Sequence, residues 1–213
     1  PAGEDTENRG TREKPWRTIQ FAVDRALPGD RVVLLPGLYP GETRLTRGGV
    51  EGAPLAIEAE QPGTVILDGR HEARACLRME KASHVTVKGL EIRWFAHSGV
   101  YAADSPHVSV IGCRIWNGHW QGWPVGSGIF AHRSPGLVAE RNVMWKFEQG
   151  ISLLQSPRSR IVFNTILANM YGALHVTYSA EGTVSRNNCF AYGGNDQYTV
   201  FGAKPEEFET FDS

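Results

Sequence analysis

Five segments decide the fold: HVTVKGLEI (84–92), HVSVIGCRI (107–115), LVAERNVMW (137–145), RIVFNTIL (160–167) and TVSRNNCF (183–190). Each is an alternating apolar run, a Gly or Asn, and a second short run. Aligned on Gly89, Gly112, Asn142, Asn164 and Asn187, they recur at spacings of 23, 30, 22 and 23 residues. A third run lies between them: SGVYAADS (98–105), SGIFAHRS (127–134), QGISLLQS (149–156) and YGALHVTYS (171–179). A unit of three short runs and three turns is too short for helical repeats. It fits an all-β right-handed parallel β-helix of three-strand rungs of about 22–23 residues, with equivalent strands stacked roughly 4.8 Å apart. Gly or Asn suits the tight turn because both accept the left-handed backbone conformation, and stacked Asn amides can bond along the axis.

The segment TIQFAVDRAL (18–27) has apolar residues at Ile19, Ala22, Val23 and Ala26, with Thr18 as cap and Pro28-Gly29 as stop. It predicts an N-terminal capping helix over the exposed end of the coil. The expected layout is one domain over 1–213: irregular first rungs at 30–83, regular rungs at 84–200, and a tail or the start of a further rung at 201–213. After Asn187 no amphipathic capping element is visible, so further rungs or a partner covering the C-terminal end is expected, and the chain reads as a possible fragment of a longer β-helix.

Lys and Arg number 22 and Asp and Glu 23, so net charge gives no case for nucleic acid or an anionic membrane. Residues 84–181 carry eight Lys/Arg against five Asp/Glu and six of the seven histidines, so an anionic ligand should prefer this section. No run of 18 apolar residues is present, which excludes a membrane-spanning helix. The polar opening fits a secreted or periplasmic protein whose leader has been removed. Cys76, Cys113 and Cys189 are odd in number and lie in apolar strand contexts, so buried free thiols are expected rather than a disulfide.

The string G-x-D-x-x-N-x-G-T (3–11), Pro15, TIQxAV (18–23), PGDRVVLLPGLY (28–39), GAP (52–54) and GTVILDG (63–69) resembles the opening of secreted bacterial proteins of the pectate-lyase-like superfamily. It is similar in particular to family nine pectate lyases and to the chondroitinase B and alginate lyase group. The resemblance implies a parallel β-helix and work on a polysaccharide, most simply a polysaccharide lyase cleaving a uronate-containing chain by β-elimination. It does not carry the sites across. Family nine lyases bind calcium through an aspartate cluster and use a lysine base, and no paired aspartates occur in 84–190. The Asn-Thr-Asp, Asp-Asp and Gly-His-Gly motifs of polygalacturonase-type hydrolases are also missing.

One connection is enlarged by seven or eight residues: WNGHWQGWPVG (116–126), with Trp116, His119, Trp120 and Trp123. A loop projecting from one face of a solenoid often marks the binding side. Trp94-Phe95, Trp145, Phe147, Tyr171 and Tyr192 occupy the same connection in neighbouring rungs. They form either a wall for the apolar faces of sugar rings or the packing of a corner. In the following strand, alternation with Ile129, Ala131, Ile151, Leu153, Leu174 and Val176 inward puts Tyr101, Phe130, Ser152 and His175 in one outward column. Ala103, His132, Leu154 and Thr177 form the next.

A lyase must neutralise a uronate carboxylate and remove the proton α to it. His132 or His175 is therefore a candidate base, and Arg133 or Lys146 a candidate carboxylate partner. Trp116, Trp120, Trp123, His119, Tyr101 and Phe130 are the candidate glycan contacts. Asp104 and Glu148 are the only candidates for a shared Ca2+, few for an ion that wants six to eight oxygens. The alternatives are a glycoside hydrolase, pairing Glu148 with Asp104 or Asp196, and a non-catalytic glycan-binding module. His84 and His107 open equivalent strands and read as a structural stack.

Overall fold

The computed structural model describes residues 3–7, 10–117, 126–179 and 181–191, and the backbone of two strands, Tyr198–Phe201 and Phe208–Phe211. Each coil gives one strand to each of three parallel sheets. The first sheet runs from Arg31–Leu34 to Phe208–Phe211, the second from Gly37–Pro40 to Cys189–Ala191, and the third from Thr43–Leu45 to Tyr198–Phe201. Equivalent inward residues stack from coil to coil. Val87, Val110, Ala139 and Ile161 line the first sheet; Ile92, Ile115, Met144 and Ile166 the second; Val100, Ile129, Ile151 and Leu174 the third. All are at most 1% exposed. Burying each of these Val, Ile, Leu and Met side chains contributes roughly 1.5–3 kcal/mol.

The repeat has a finer register than the sequence alignment gives. Arg141 and Phe163, not Asn142 and Asn164, occupy the left-handed turn position shared with Gly89, Gly112 and Asn187. Asn142 and Asn164 stand one place later, pointing inward. There Asn142 Oδ1 accepts from the Cys113 amide (2.9 Å), Asn164 Oδ1 from the Asn142 amide (3.0 Å), and Asn188 Oδ1 from the Asn164 amide (2.9 Å). The asparagines are selected for an axial ladder, and the left-handed turn is imposed on their predecessors.

A second ladder, of serines, follows the third sheet. The amides of Ala82, Ser105 and Ser134 donate to the hydroxyls of Ser105, Ser134 and Ser156 at 2.9–3.0 Å. Both ladders record the same coil lengths, with offsets of 29 then 22 residues at Cys113–Asn142–Asn164 and at Ser105–Ser134–Ser156.

At the N-terminal end, Thr18 caps helix α1 (Ile19–Val23) by accepting from the Phe21 amide. The helix is five residues long, not ten, because its last bonds tighten to Arg25 N–H donating to Ala22 O before Pro28 removes a donor. Asp5, in the N-terminal arm, accepts from the Arg17 and Thr18 amides and the Thr18 hydroxyl, fixing the approach to the helix. Cys76 and Cys113 are buried free thiols as expected; Cys189, on the outer face of the second sheet, is exposed.

Candidate active site on the third sheet

Six-residue strands build the outer face of the third sheet: Ala75–Glu80, Ser98–Ala103, Ser127–His132, Gln149–Leu154 and Gly172–Thr177. The register joins Arg78, Tyr101, Phe130, Ser152 and His175 in one outward column, and Glu80, Ala103, His132, Leu154 and Thr177 in another, as alternation requires. A glycine column, Gly99, Gly128 and Gly150, lies where the chain turns from the second sheet into the third. A Cβ on Gly99 would stand 2.7 Å from Ile115 Cγ2 and 2.9 Å from the Gly128 carbonyl, so only glycine permits the close bend beneath this face.

The centre of the face sets aromatic and polar side chains side by side. Tyr101 and Phe130 stack with ring centroids 5.5 Å apart and planes 8° apart. The His97 ring packs edge-on against both, at 5.7 and 5.1 Å, and its Nδ1 lies 3.2 Å from Ser98 Oγ. Ser98, Ser127 and Ser152 are buried; Ser127 and Ser152 share a 3.0 Å hydrogen bond, and Ser152 bonds Gln149. Burial, reinforced by the positive charge of Arg74, holds His97 below the usual histidine pKa. Burial alone does the same for His175. Both imidazoles are therefore biased to the neutral, proton-accepting form at pH 7.

His97 and Arg74 were not among the sequence candidates. His97 lies in the corner before its strand, outside the alternating pattern; its signal was only its place two residues after Phe95, against the enlarged connection. That connection rejoins the coil at Gly126, and the next amide, Ser127, donates to the His97 carbonyl (2.9 Å). His119, Trp120 and Trp123 lie outside the described residues, as do Tyr192 and Asp196.

The remaining candidates fall on two opposite edges of the sheet. His132, Arg133 and Asp104 gather at the trailing edge, where Arg133 is held by Asp104 in a two-point ion pair (2.7 and 2.9 Å). That hydrogen bond, with the Arg133 charge, lowers the Asp104 pKa. Lys146 and Glu148 stand at the leading edge, before Gln149–Leu154. A six-residue strand separates the two edges by about 20 Å. Asp104 and Glu148 thus share neither a calcium ion nor a glycosidic bond, which needs carboxyls roughly 5–9.5 Å apart. Among the described residues no group of three or more His, Cys, Asp or Glu side chains is placed to hold a metal.

The tryptophans favour corner packing. Trp116 and Trp145 stack with centroids 5.9 Å apart, and Trp94 lies edge-on to Trp116 at 5.7 Å, so the three half-buried rings form one cluster. The Trp116 indole N–H donates to Glu91 Oε1. Phe95 and Phe147 are fully buried and stack at 5.9 Å inside the corner, so neither reaches the groove. Tyr171 is exposed. His84 and His107 stack at 4.7 Å, matching their reading as a structural pair. A cavity of about 480 Å³ lies apart from the histidine face, between the N-terminal arm, α1 and the first coil.

Two curated relatives share parts of the sequence. The uncharacterised protein YwoF of Bacillus subtilis (strain 168) is 27% identical over 123 residues, 52% of this chain and 26% of that protein. Pectate lyase PEL9 of Emericella nidulans is 35% identical over 71 residues, 32% of this chain and 17% of that enzyme. The chain thus spans about a quarter or less of their length. Among solved structures, a PL6-family polysaccharide lyase from Pseudopedobacter saltans superposes with a TM-score of 0.61 at 14% identity, over 85% of this chain and 49% of that one. Pectate lyase Pel9A superposes with a TM-score of 0.56 at 13% identity, over 97% and 77%. At these identities the superpositions establish the fold. The model of the right-handed β-helix region matches residues 68–202, and with the three continuous sheets it shows that the chain belongs to the right-handed parallel β-helix family.

Proposed function

We propose that this protein is a carbohydrate-active β-helix that cleaves a uronate-containing polysaccharide by β-elimination, with the outer face of the third sheet as the glycan groove. The observation that carries the reading is the juxtaposition of half-buried, neutral-biased histidines with the Tyr101–Phe130 stack on one sheet face. In the reaction a neutral imidazole takes the proton α to the carboxylate; the electron pair forms a C=C bond as the adjacent glycosidic C–O bond breaks, and the leaving oxygen takes a proton from solvent. His175, in line with Phe130, and His132, at the trailing edge, face the same groove. Arg133 is committed to Asp104, and Lys146 stands across the sheet from it, so neither is the carboxylate partner of His132 in this reading. The names of the neighbouring lyases agree with a polysaccharide substrate.

Incubation with pectate, alginate and glycosaminoglycans, followed by the ultraviolet absorbance of the unsaturated product, tests the reading. Absorbance growth on at least one polymer is expected. Release of reducing ends without that absorbance would mean hydrolysis, and binding without cleavage would make the chain a non-catalytic glycan module.

A further inference from the structure

The arginines around the third sheet differ in what they already hold. Arg44 pairs with Glu80, Arg78 with Glu80 and Glu42, Arg93 with Asp68 and Glu91, and Arg133 with Asp104. Arg74 has no carboxylate within ion-pair distance among the described residues. Its side chain is exposed, and its guanidinium carbon lies 5.4 Å from the centroid of the Tyr101 ring. Its backbone carbonyl accepts from the amides of both His97 (3.0 Å) and Ser98 (3.1 Å), which ties the position of Arg74 to that of the imidazole. A fork of uncommitted donors thus stands beside an aromatic ring and a proton acceptor.

We infer that Arg74, His97 and Tyr101 form the carboxylate-recognition corner of the groove: Arg74 binds a uronate carboxylate, Tyr101 bears on the sugar, and His97 is the base that takes the α proton. This rests on the reading of the third sheet as a glycan face and assigns its two essential roles to particular residues. The planar guanidinium matches a carboxylate in a two-point hydrogen bond that a neutral sugar cannot make. Burial and, after it, the same positive charge disfavour protonation of His97 in the free protein; a substrate carboxylate offsets the charge, so the imidazole binds its proton more readily once the anion arrives. In this assignment the Ser98 hydroxyl, 3.2 Å from Nδ1, accepts from Nδ1–H, which leaves Nε2 as the basic nitrogen.

The test uses the whole chain, with a galacturonate trimer, a mannuronate trimer and a neutral galactose trimer as probes. The His97 ring protons are followed by NMR through a pH titration. At least one uronate trimer is expected to raise the His97 titration midpoint while the neutral trimer leaves it in place. Arg74→Gln is expected to raise the midpoint of the free protein and to weaken uronate binding about tenfold or more, with the melting temperature retained, since Arg74 is exposed. On a polymer that the protein cleaves, His97→Gln should abolish turnover while leaving trimer binding within a few-fold of the parent.

If Arg74→Gln and His97→Gln bind and cleave like the parent, this assignment is overturned although the lyase reading stands. If no polymer is cleaved but a uronate trimer shifts His97 only when Arg74 is present, the corner is supported as a carboxylate site and the lyase reading falls. A neutral trimer that binds as well as the uronates would overturn the carboxylate role of Arg74.

Discussion

Asn142 illustrates how much one side chain carries in a stacked coil. It is 1% exposed, accepts from the Cys113 amide and donates to both the Val110 carbonyl and Asn164 Oδ1. Asn142→Ala would leave buried backbone groups without partners, so we expect a loss of about 1–3 kcal/mol, measured as a lower midpoint in urea with an unchanged slope. The sequence pointed to asparagine at this corner but misplaced it by one residue, because Gly and Asn were taken as interchangeable carriers of a left-handed turn. In the structure they answer two adjacent needs: Gly112 supplies the turn, and Asn142 the ladder while Arg141 takes the turn. His97 shows the converse. A residue in a corner has no period to betray its orientation, so its exposure to the groove emerges only when the flanking strands are placed.

The helix α1 and the arm before it act as one element. Asp5 holds Arg17 and Thr18, and Thr18 holds Phe21, so the arm and cap should loosen together. Thr18→Ala is expected to cost about 1 kcal/mol through the lost cap and to speed hydrogen exchange in both segments, leaving the distant coils protected. Burial opposes ionisation of Asp5, but the hydrogen bonds from Thr18 and Arg17 outweigh it and lower its pKa.

The strands separate the thiols as sharply. Burial pushes Cys76 up to about 12 and Cys113 up to about 11, whereas Cys189 is exposed. A thiol reagent should therefore modify one cysteine rapidly in the native protein and all three after denaturation, as counted by mass spectrometry. The apolar context of Cys189 suggested a buried thiol; strand alternation turned it outward instead. Alternation was legible for the strands of the third sheet, whose inward and outward residues fall where the sequence puts them, because long apolar runs admit only one register.

Across the whole molecule, two classes of shifted group lose their contribution to stability in the same direction, as pH falls, but in two successive windows. His97 and His175 have pKa values lowered from 6.5 in the fold, so below about pH 6.5 the unfolded chain binds protons that the native chain resists. Their contribution is full above that pH and declines as pH falls through the native values. Asp104, held by Arg133, and Glu80, held by Arg78, are lowered from 3.8 and 4.5, so their contribution is lost further down, below about pH 4.5. Melting temperature is expected to hold from pH 8 to 7, to slip as pH falls below about 6.5, and to fall steeply under pH 4.5. A profile with no decline before the carboxylate window would contradict the placement of the two histidines.

The architecture was the most legible property of the sequence, since every coil repeats the same physical demand. The chemistry was the least, since the enlarged connection breaks the repeat without saying which outward side chains act together.

Both internal ladders cross that break without losing a step: the 29-residue coil meets its 22-residue successor through the same asparagine and serine bonds as the others. The surplus chain leaves after Asn117, whose amide side chain donates to the Phe95 carbonyl, and rejoins at Gly126, whose carbonyl accepts from the Glu148 amide. Coil register is thereby set by the ladders and not by the length of chain between them, so coils of unequal length share one axis without changing partners.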